Sequence, residues 1–272
     1  GWMEYSADGN LDDYQNAYIF PEQLEGIHQK LDKLTEALDA RNITLIVVIV
    51  PNKVTIYPDK VSEKLQKVNE QSRLDAFLDL MKQTNSTRMI DLRPSLRQAR
   101  QDQAYQLYYK TDTHWNSLGA YIAYREIMNI ASRAHPALQP YDLDKFVLRE
   151  TDRQIRDLPR IMGVDFITEP MLELQAKFDS GAYFQRVPPT SSVSMSWSNE
   201  NQEKTLLMYH DSFGVALQGF LQNHFKQAMY IQNSPDKNLS NMSWIETIQP
   251  DVVIIEIVER NLPYLDILLS NQ

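Results

Sequence analysis

The chain has 272 residues, of which 43% are apolar and 23% charged, as in an ordinary globular protein with one large domain or two small ones. A formal net charge of −9 lacks the basic excess of nucleic-acid-binding proteins, so we expect no nucleic acid partner. The longest apolar run, residues 43–50, is too short to span a membrane, and the absence of cysteine excludes disulfides and thiolate metal sites.

Hydrophobic spacing predicts the elements of the first half of the chain. Residues 1–20 lack periodicity and are interpreted as a loop-rich lead-in. Apolar residues recur at spacings of three and four from Pro21 to Leu38, which predicts a helix. The β-branched run from Ile43 to Val50 predicts a strand buried on both faces, as in a parallel sheet. The remaining predictions here are a helix over Ser62–Gln83, a strand over Thr87–Leu92, and helices over Ser95–Ala104 and Asn116–Ala134.

Residues 136–203 differ in character from the rest. Periodicity fades, several prolines interrupt the segment, and its end is rich in serine. A structureless loop of this length is unusual inside a compact domain. We therefore predict one domain over residues 1–272 with an irregular insertion, about 136–203, that contains short strands and forms a lid or a wall of a substrate site.

Strands and helices alternate again after the insertion. The predicted elements are strands over Thr205–Tyr209, Gln227–Ile231 and Asp251–Val258, and helices over Phe213–His224, Ser240–Ile248 and Pro263–Ser270. This alternation predicts an α/β fold with a mostly parallel central sheet. Functional sites of such sheets lie at the carboxyl ends of the strands, where Asn52, Ser212, Glu259 and Arg260 fall.

Ser212 lies between a predicted strand and a predicted helix. A serine at such a junction can expose its hydroxyl beside free backbone N–H groups of the helix start. Gly214 matches the second glycine of a G-x-S-x-G turn, whereas His210 replaces the first. The residue is therefore a candidate nucleophile, and the alternative is an ordinary helix N-cap.

His114 is the first candidate base for that serine. Asp112, two residues away, can fix the imidazole tautomer and stabilise its charged form. Together with Ser212 the pair predicts nucleophilic acyl transfer. His210 is the competing base, since strand alternation can place it on the same face as Ser212. A simple ion pair within a loop is the structural alternative for Asp112 and His114.

Two further groupings are open. Asp112, His114, His210 and Asp211 together carry the donor atoms that zinc or manganese prefers, although the spacing matches no known ligand pattern. The candidate substrate-binding residues are Asn52, Lys53, Tyr109, Trp115 and Arg260, whose polar or aromatic groups can orient a sugar. Structural roles or solvated surface charges are their alternative.

Several of these segments, taken in order, resemble one known family. They include Val50-Pro51-Asn52-Lys53, Ile90-Asp91-Leu92-Arg93-Pro94, Asp112-Thr113-His114-Trp115, Asp211-Ser212-Phe213 and Glu259-Arg260-Asn261-Leu262. The sequence resembles the alginate O-acetyltransferase group related to AlgJ and AlgX, and the resemblance runs nearly end to end. It implies an SGNH-hydrolase-like three-layer sandwich with circularly permuted catalytic motifs, because the acid–histidine pair here precedes the serine.

The resemblance also implies function. It assigns Ser212, His114 and Asp112 as a catalytic triad for moving acetyl groups onto an exported polysaccharide, with no cofactor and no metal. The implied acetyl donor is a membrane-bound acyltransferase, and the implied location is the periplasm or another extracytoplasmic face. Because the sequence starts abruptly at Gly1-Trp2, we expect a truncation that removed an N-terminal targeting or anchoring segment. A carbohydrate acetyl esterase and a non-catalytic polysaccharide-binding export scaffold are the alternatives.

Overall fold

A computed structural model describes residues 1–83, 88–102, 105–186, 192–198, 202–232 and 243–270. The strands are β1 (Thr44–Val50), β2 (Met89–Asp91), β3 (Phe146–Gln154), β4 (Glu169–Ala176), β5 (Tyr183–Arg186), β6 (Val193–Trp197), β7 (Thr205–His210), β8 (Gln227–Gln232) and β9 (Val252–Val258). The helices are α1 (Asn10–Gln15), α2 (Pro21–Asp39), α3 (Lys53–Ile56), α4 (Arg73–Lys82), α5 (Arg93–Asp102), α6 (Ser117–Ala134), α7 (Asp157–Ile161), α8 (Val215–Leu221), α9 (Trp244–Ile248) and α10 (Tyr264–Leu268).

Strand β1 separates two hydrophobic cores, because all seven of its residues are buried. Alternate side chains of a strand point to opposite faces of the sheet. Ile46, Val48 and Val50 therefore pack with α5, α6 and α8 on one face. The intervening apolar residues, beginning with Leu45, pack with α2, α4 and α10 on the other. The sheet lies between two helical layers, which confirms the predicted three-layer α/β sandwich.

The central sheet has the strand order β2-β1-β9-β7-β8-β6-β5. The first five strands in this order are parallel to their neighbours. Strand β9 lies between β1 and β7 and pairs with β1 over its full length, from Thr44 opposite Val252 to Val50 opposite Val258. Because these strands are parallel, their carboxyl ends meet at one edge of the sheet. The predicted, mostly parallel sheet is confirmed.

Residues 136–203 hold more regular structure than the sequence indicated. Strands β3 and β4 form a separate antiparallel hairpin with a register shift between Glu150 and Arg153. Strands β5 and β6 extend the central sheet at the β8 edge with antiparallel pairing. Helix α7 follows β3 along the chain. The hairpin packs on α6 through Leu148 and Leu174, which join the core on that face of the sheet. The segment is thus attached to the rest of the fold at two places, through α6 and through the β8 edge of the sheet.

Two predicted elements of the first half differ from the structure. The lead-in contains α1, and the helix predicted over 62–83 begins only at Arg73. Ser72 and Asp75 form a capping box: the Ser72 hydroxyl accepts from Asp75 N at 3.0 Å, and the Asp75 carboxylate accepts from Ser72 N at 3.0 Å. Val68 N donates to Gln15 O, so a contact with α1 holds the residues before Ser72 outside α4.

The helices of the C-terminal part are shorter than predicted. Helices α8, α9 and α10 span seven, five and five residues. Residues 240–242 of the predicted helix over 240–248, residue 87 of the predicted second strand and residues 103–104 lie outside the described residues. Within the described part of the chain, none of the helices has the length and apolar character needed to cross a bilayer.

Candidate active site

Ser212 lies just beyond the carboxyl end of β7. The strand is buried from Leu206 to His210, whereas Ser212 is exposed. The intervening Asp211 is buried, and its carboxylate accepts hydrogen bonds from Phe213 N at 2.9 Å and Val258 N at 2.8 Å. The Asp211 carboxylate therefore links the turn that carries Ser212 with the end of β9.

Gly214 makes this tight turn possible. A Cβ atom at position 214 would lie 2.4 Å from the Cβ of His210 and 2.6 Å from Oε2 of Glu256. No side chain fits in that space, because real Cβ atoms do not approach other heavy atoms so closely. In a G-x-S-x-G turn, a glycine also occupies the position of His210. Here the missing Cβ of Gly214 leaves the space that the His210 side chain needs. The turn therefore accommodates a histidine at position 210.

His114 and Asp112 lie in a tight loop that precedes α6. Tyr108 and Trp115 form an antiparallel bridge, and Tyr109 N donates to His114 O at 3.2 Å. The following residue, Asn116, is the N-cap of α6, and its side chain accepts hydrogen bonds from two helix N–H groups. Gly119 allows α6 to approach the loop, since a Cβ there would lie 2.5 Å from Leu107 O. Both loop ends are thus fixed.

The three side chains form a continuous hydrogen-bonded chain. His114 Nε2 lies 2.7 Å from Ser212 Oγ. His114 Nδ1 lies 2.7 Å from Asp112 Oδ1, which also accepts from the His114 backbone N–H at 3.0 Å. With Nδ1 donating to the carboxylate, Nε2 is the nitrogen that faces the serine hydroxyl. This geometry can remove a proton from Ser212.

The charges around these three side chains favour a protonated His114 and an ionised Asp112. Burial alone would lower the pKa of His114, but hydrogen bonds to Asp112 and Asp157 and the charges of both carboxylates raise it to about 9. Burial would raise the pKa of Asp112, but the hydrogen bond and charge of His114, with the charge of Arg156, lower it. The carboxylate of Asp112 is therefore ionised throughout the neutral range.

His210 does not serve Ser212 as the sequence allowed. It is 1% exposed, and Nδ1 lies 2.6 Å from Asp211 O while Nε2 lies 3.0 Å from Gln218 Nε2. Both ring nitrogens are thus engaged away from the serine. Burial lowers the pKa of His210, despite the nearby carbonyl and carboxylate of Asp211. It is a neutral core histidine.

The four-residue metal grouping is also corrected. The polar atoms of His210 and Asp211 bond to the turn after β7 and to the end of β9, and neither residue belongs to the cluster that contains Asp112 and His114. Asp157 instead joins Asp112 and His114 in a cluster whose potential ligand atoms lie within 4.8 Å of one another. Arg156 Nε lies 2.9 Å from Asp112 Oδ2 and already neutralises that carboxylate.

Sequence reasoning missed Arg156 and Asp157. Both belong to the start of α7, inside the segment predicted as a lid or substrate wall. Asp157 contacts the loop between Asp112 and His114, and Arg156 stacks its guanidinium 4.0 Å from the ring centroid of Tyr109. No local pattern marks these residues, since they reach the site only through the tertiary fold.

Lys53 and Asn52 are buried beneath the site, which corrects their predicted role as substrate contacts. Lys53 is 3% exposed, and its ammonium group donates to the carbonyl oxygens of Asp112 at 2.8 Å and Lys110 at 3.3 Å. Asn52 is 0% exposed and donates its backbone N–H to Glu259 Oε2 at 2.9 Å. The two residues hold the loops that carry the site.

Trp115 and Tyr109 are buried as well, and neither offers a free ring face. Trp115 is 2% exposed, donates Nε1–H to Phe213 O at 3.1 Å and packs edge-on against the Phe213 ring. The ring of Tyr109 is covered by Arg156. The prediction that these two residues contact a sugar is therefore corrected to a packing role.

Arg260 alone of the five candidate substrate residues keeps a partly exposed side chain. Its Nη1 donates to Asn52 Oδ1 at 3.1 Å, and its guanidinium carbon lies 5.4 Å from the ring centroid of Phe213. Phe213 in turn packs against His114, with 4.6 Å between ring centroids. This places a cation at the mouth of the site.

The backbone N–H groups that the sequence predicted to be free beside Ser212 are only partly free. The Phe213 N–H donates to Asp211, and the Gly214 N–H donates to the carboxyl group of Glu256. Helix α8 begins at Val215, beyond both. The Ser212 N–H has no acceptor among the described residues. Of these three N–H groups, the one of Ser212 is therefore available as a backbone donor.

Comparison with known proteins agrees with this fold and with the resemblance in sequence. Over 108 residues the chain is 31% identical to the probable alginate O-acetylase AlgJ of Pseudomonas fluorescens, a match spanning 39% of this chain and 26% of that protein. The chain thus matches about a quarter of the relative's length.

Two solved structures share the fold. Bacillus cereus PatB1 with a sulfonyl adduct has a TM-score of 0.69 at 16% identity, over 90% of this chain and 92% of that one. The O-acetyltransferase domain of Pseudomonas putida AlgJ has a TM-score of 0.53 at 17% identity, over 98% and 94%. Residues 5–230 match the family described as "SGNH hydrolase-like domain, acetyltransferase AlgX". The chain belongs to this AlgX family of SGNH hydrolase-like domains.

Proposed function

We propose that the chain is an O-acetyltransferase that moves acetyl groups onto hydroxyls of an exported polysaccharide through an acetyl-serine intermediate. The observation that carries this proposal is the hydrogen-bonded chain of Ser212, His114 and Asp112, with 2.7 Å at both side-chain links. Membership of an acetyltransferase family supports the choice of acetyl as the transferred group.

The first half-reaction forms acetyl-Ser212. His114 Nε2 takes the hydroxyl proton while Ser212 Oγ bonds to the acetyl carbonyl carbon of the donor. Asp112 stabilises the imidazolium that results. The carbonyl reforms as the bond to the donor's leaving group breaks, and the proton on Nε2 passes to that group. The Ser212 N–H is suited to stabilise the negative oxygen in between, a contact typically worth about 3–4 kcal/mol.

The second half-reaction transfers the acetyl group to the acceptor. A sugar hydroxyl gives its proton to His114 Nε2 and attacks the acetyl carbonyl carbon. The bond to Ser212 Oγ then breaks, and the same proton returns to the serine. The site is thereby restored without any net change in the protein. Arg260, the partly exposed cation beside Phe213, is suited to orient the acceptor.

The acceptor, donor and location follow from the family and are part of this proposal. AlgJ of Pseudomonas fluorescens is named a probable alginate O-acetylase, which supports a polysaccharide acceptor. A membrane-bound acyltransferase is the proposed acetyl donor. The proposed location is the periplasm or another extracytoplasmic face, where an exported polymer is accessible.

An acetyl esterase is the second candidate function. It uses the same three residues, but water replaces the sugar hydroxyl in the second half-reaction. The exposure of Ser212 favours this candidate, since an acetyl group on an exposed serine is open to solvent. Efficient transfer requires an acceptor that is held in place and displaces water.

The test compares acetyl ester cleavage by the wild type with Ser212→Ala and His114→Ala. We expect both variants to lose about 10³-fold or more in kcat/KM for p-nitrophenyl acetate. Ser62→Ala, which removes an exposed serine distant in sequence from the site, is the matched control and keeps the full rate. Peptide mass mapping after ester treatment should find the acetyl group on Ser212.

The choice between the two functions needs acceptors. Uronic-acid and neutral oligosaccharides are added to the same reaction, and acetylated sugar and free acetate are quantified by NMR. Sugar acetylation that depends on Ser212 supports the transferase, and acetate alone supports the esterase. Equal background rates in all proteins would overturn both and favour a non-catalytic scaffold.

A further inference from the structure

Asp157 brings a second carboxylate to His114 from a separate segment of the chain. Its carboxylate accepts from Thr113 N at 3.0 and 3.2 Å and from Thr113 Oγ1 at 2.6 Å. Its Oδ2 lies 3.6 Å from His114 Nδ1. The side chain is 28% exposed and the His114 ring 27% exposed. Asp157 is therefore fixed by the Thr113 backbone and faces the imidazole edge that Asp112 also faces.

We propose that Asp157 is a positioning residue that acts through His114 and couples residues 136–203 to the acyl-transfer reaction. The proposal rests on the proposed function for its kinetic test, whereas its contact with His114 can be tested without any activity. Asp157 does not touch Ser212, so it influences the chemistry only through the imidazole.

The charged and polar groups around His114 come from several elements. They are Asp112 and Thr113 on its own loop, Asp157 from α7, Ser212 from the β7 turn, Arg156 paired with Asp112, Lys53 beneath the Asp112 carbonyl and Arg260 across Phe213. Of these, Asp112 and Asp157 are the two anions that face the ring. Arg156 is paired with Asp112, whereas Asp157 forms no ion pair with a lysine or arginine among the described residues.

A second anion has opposite effects on the two properties that a general base needs. It stabilises the imidazolium and makes His114 a stronger base, but it also keeps His114 protonated, and hence unable to accept a proton, until the pH is higher. Removing this charge should therefore raise the fraction of competent enzyme at neutral pH and lower the rate at alkaline pH. The two pH profiles should cross.

The experiment measures kcat/KM for p-nitrophenyl acetate across the titration of His114 in wild type and Asp157→Asn. The amide oxygen can still accept from Thr113 N, so the loop contact is preserved. We expect the midpoint of the rising limb to move down by about half to one pH unit, with a lower alkaline plateau. Asp165→Asn, which removes an exposed charge from the same segment, should leave the profile unchanged.

Two further variants separate charge from structure. Thr113→Val removes the hydroxyl that bonds to Asp157 and lies 3.2 Å from His114 Nδ1, but it keeps the carboxylate, so the midpoint should move less than in Asp157→Asn. Asp157→Glu restores the charge and should return the midpoint toward the wild type. If Asp157→Asn does not fold, Asp157→Ser takes its place, because a hydroxyl can also accept from Thr113 N.

NMR titration of the His114 ring supplies a readout that needs no turnover, with the signal assigned by its loss in His114→Gln. A lower midpoint in Asp157→Asn supports the inference even where no ester is cleaved. A rate loss with an unchanged midpoint, by both methods, would overturn it and leave Asp157 a structural residue of the loop. Failure of the proposed function is a separate result, namely a wild type without Ser212-dependent cleavage.

Discussion

The parallel strands and residues 136–203 contribute to the site in different ways. Strands β7 and β9 are buried on both faces and carry Ser212 on a turn closed by backbone hydrogen bonds to Asp211. Helix α7 touches the site through two charged side chains, Arg156 and Asp157. The first region fixes where Ser212 lies, and the second places charged side chains beside His114 and Asp112. The strands thus contribute through buried packing at the turn, and α7 contributes through charge.

The largest expected difference between the two regions is in stability. Ile254 of β9 is 1% exposed in the core, whereas Leu174 of β4 is only partly buried against it. We expect Ile254→Ala to lower the free energy of unfolding by about 2–5 kcal/mol and Leu174→Ala by about half as much. Chemical denaturation with both variants measures this. Equal losses would mean that the hairpin is as integral to the core as β9.

Arg156 tests the electrostatic link directly. Its ion pair with Asp112 has side-chain exposures of 17% and 6%, so Arg156→Gln leaves this buried carboxylate with His114 as its remaining ion-pair partner. We expect a loss of about 2 kcal/mol in unfolding free energy, with a fall in kcat/KM. Arg153→Gln is the matched control, because Arg153 is exposed and bonds to Thr168 within the hairpin. Similar losses in both variants would remove the distinction between these arginines.

Gly214 tests the precision of the turn after β7. Gly214→Ala must displace His210 or Glu256, which we expect to cost about 1–3 kcal/mol and to lower kcat/KM about 10²-fold by shifting Ser212. Gly219→Ala in α8 is the control, since a Cβ there meets nothing within 4 Å. That variant should gain about 0.5–1 kcal/mol. Thermal unfolding and ester cleavage measure both, and an active, stable Gly214→Ala would contradict the close approach.

We expect the smallest effect from Glu256, as a change in how stability depends on pH. Burial raises the pKa of this carboxyl well above its usual range, as does the charge of Asp211, so it stays protonated in the folded protein. The folded state then holds one more proton than the unfolded state above the ordinary glutamate pKa. Stability should fall as pH rises from there towards the folded-state pKa.

The variant Glu256→Gln should lose that pH dependence while keeping the shape of the side chain. Unfolding midpoints of wild type and variant at acidic and neutral pH measure the difference. Parallel curves would mean that Glu256 is ionised in the folded state.

The difference between the parallel strands and α7 also explains what the sequence could predict. The runs that form β1 and β9 are continuous and apolar, and the spacing in α2 and α6 is regular, so their type and place were predicted closely. Asp112, His114 and Ser212 were found because each lies in a distinctive local segment. Arg156 and Asp157 carry no such pattern, and their importance depends on where α7 packs.

The sequence also does not predict which way the side chains beyond a strand point. The position of Asn52 and Lys53 beyond β1 follows from the strand, but their burial depends on the carbonyl oxygens and carboxylate that surround them. The late start of the helix predicted over 62–83 likewise depends on Ser72 and Asp75, whose capping box stops the helix from extending towards residue 62. Periodicity alone does not reveal such local competition.

The place of β9 also has a consequence for how the protein is made. This strand is the last in the described chain, yet it lies between β1 and β7. Until residue 258 has left the ribosome, β1 and β7 have no common neighbour, and Asp211 has no Val258 N–H to hold the serine turn. Synthesis from the N-terminus therefore completes the Ser212 turn late, only after the last described strand is available.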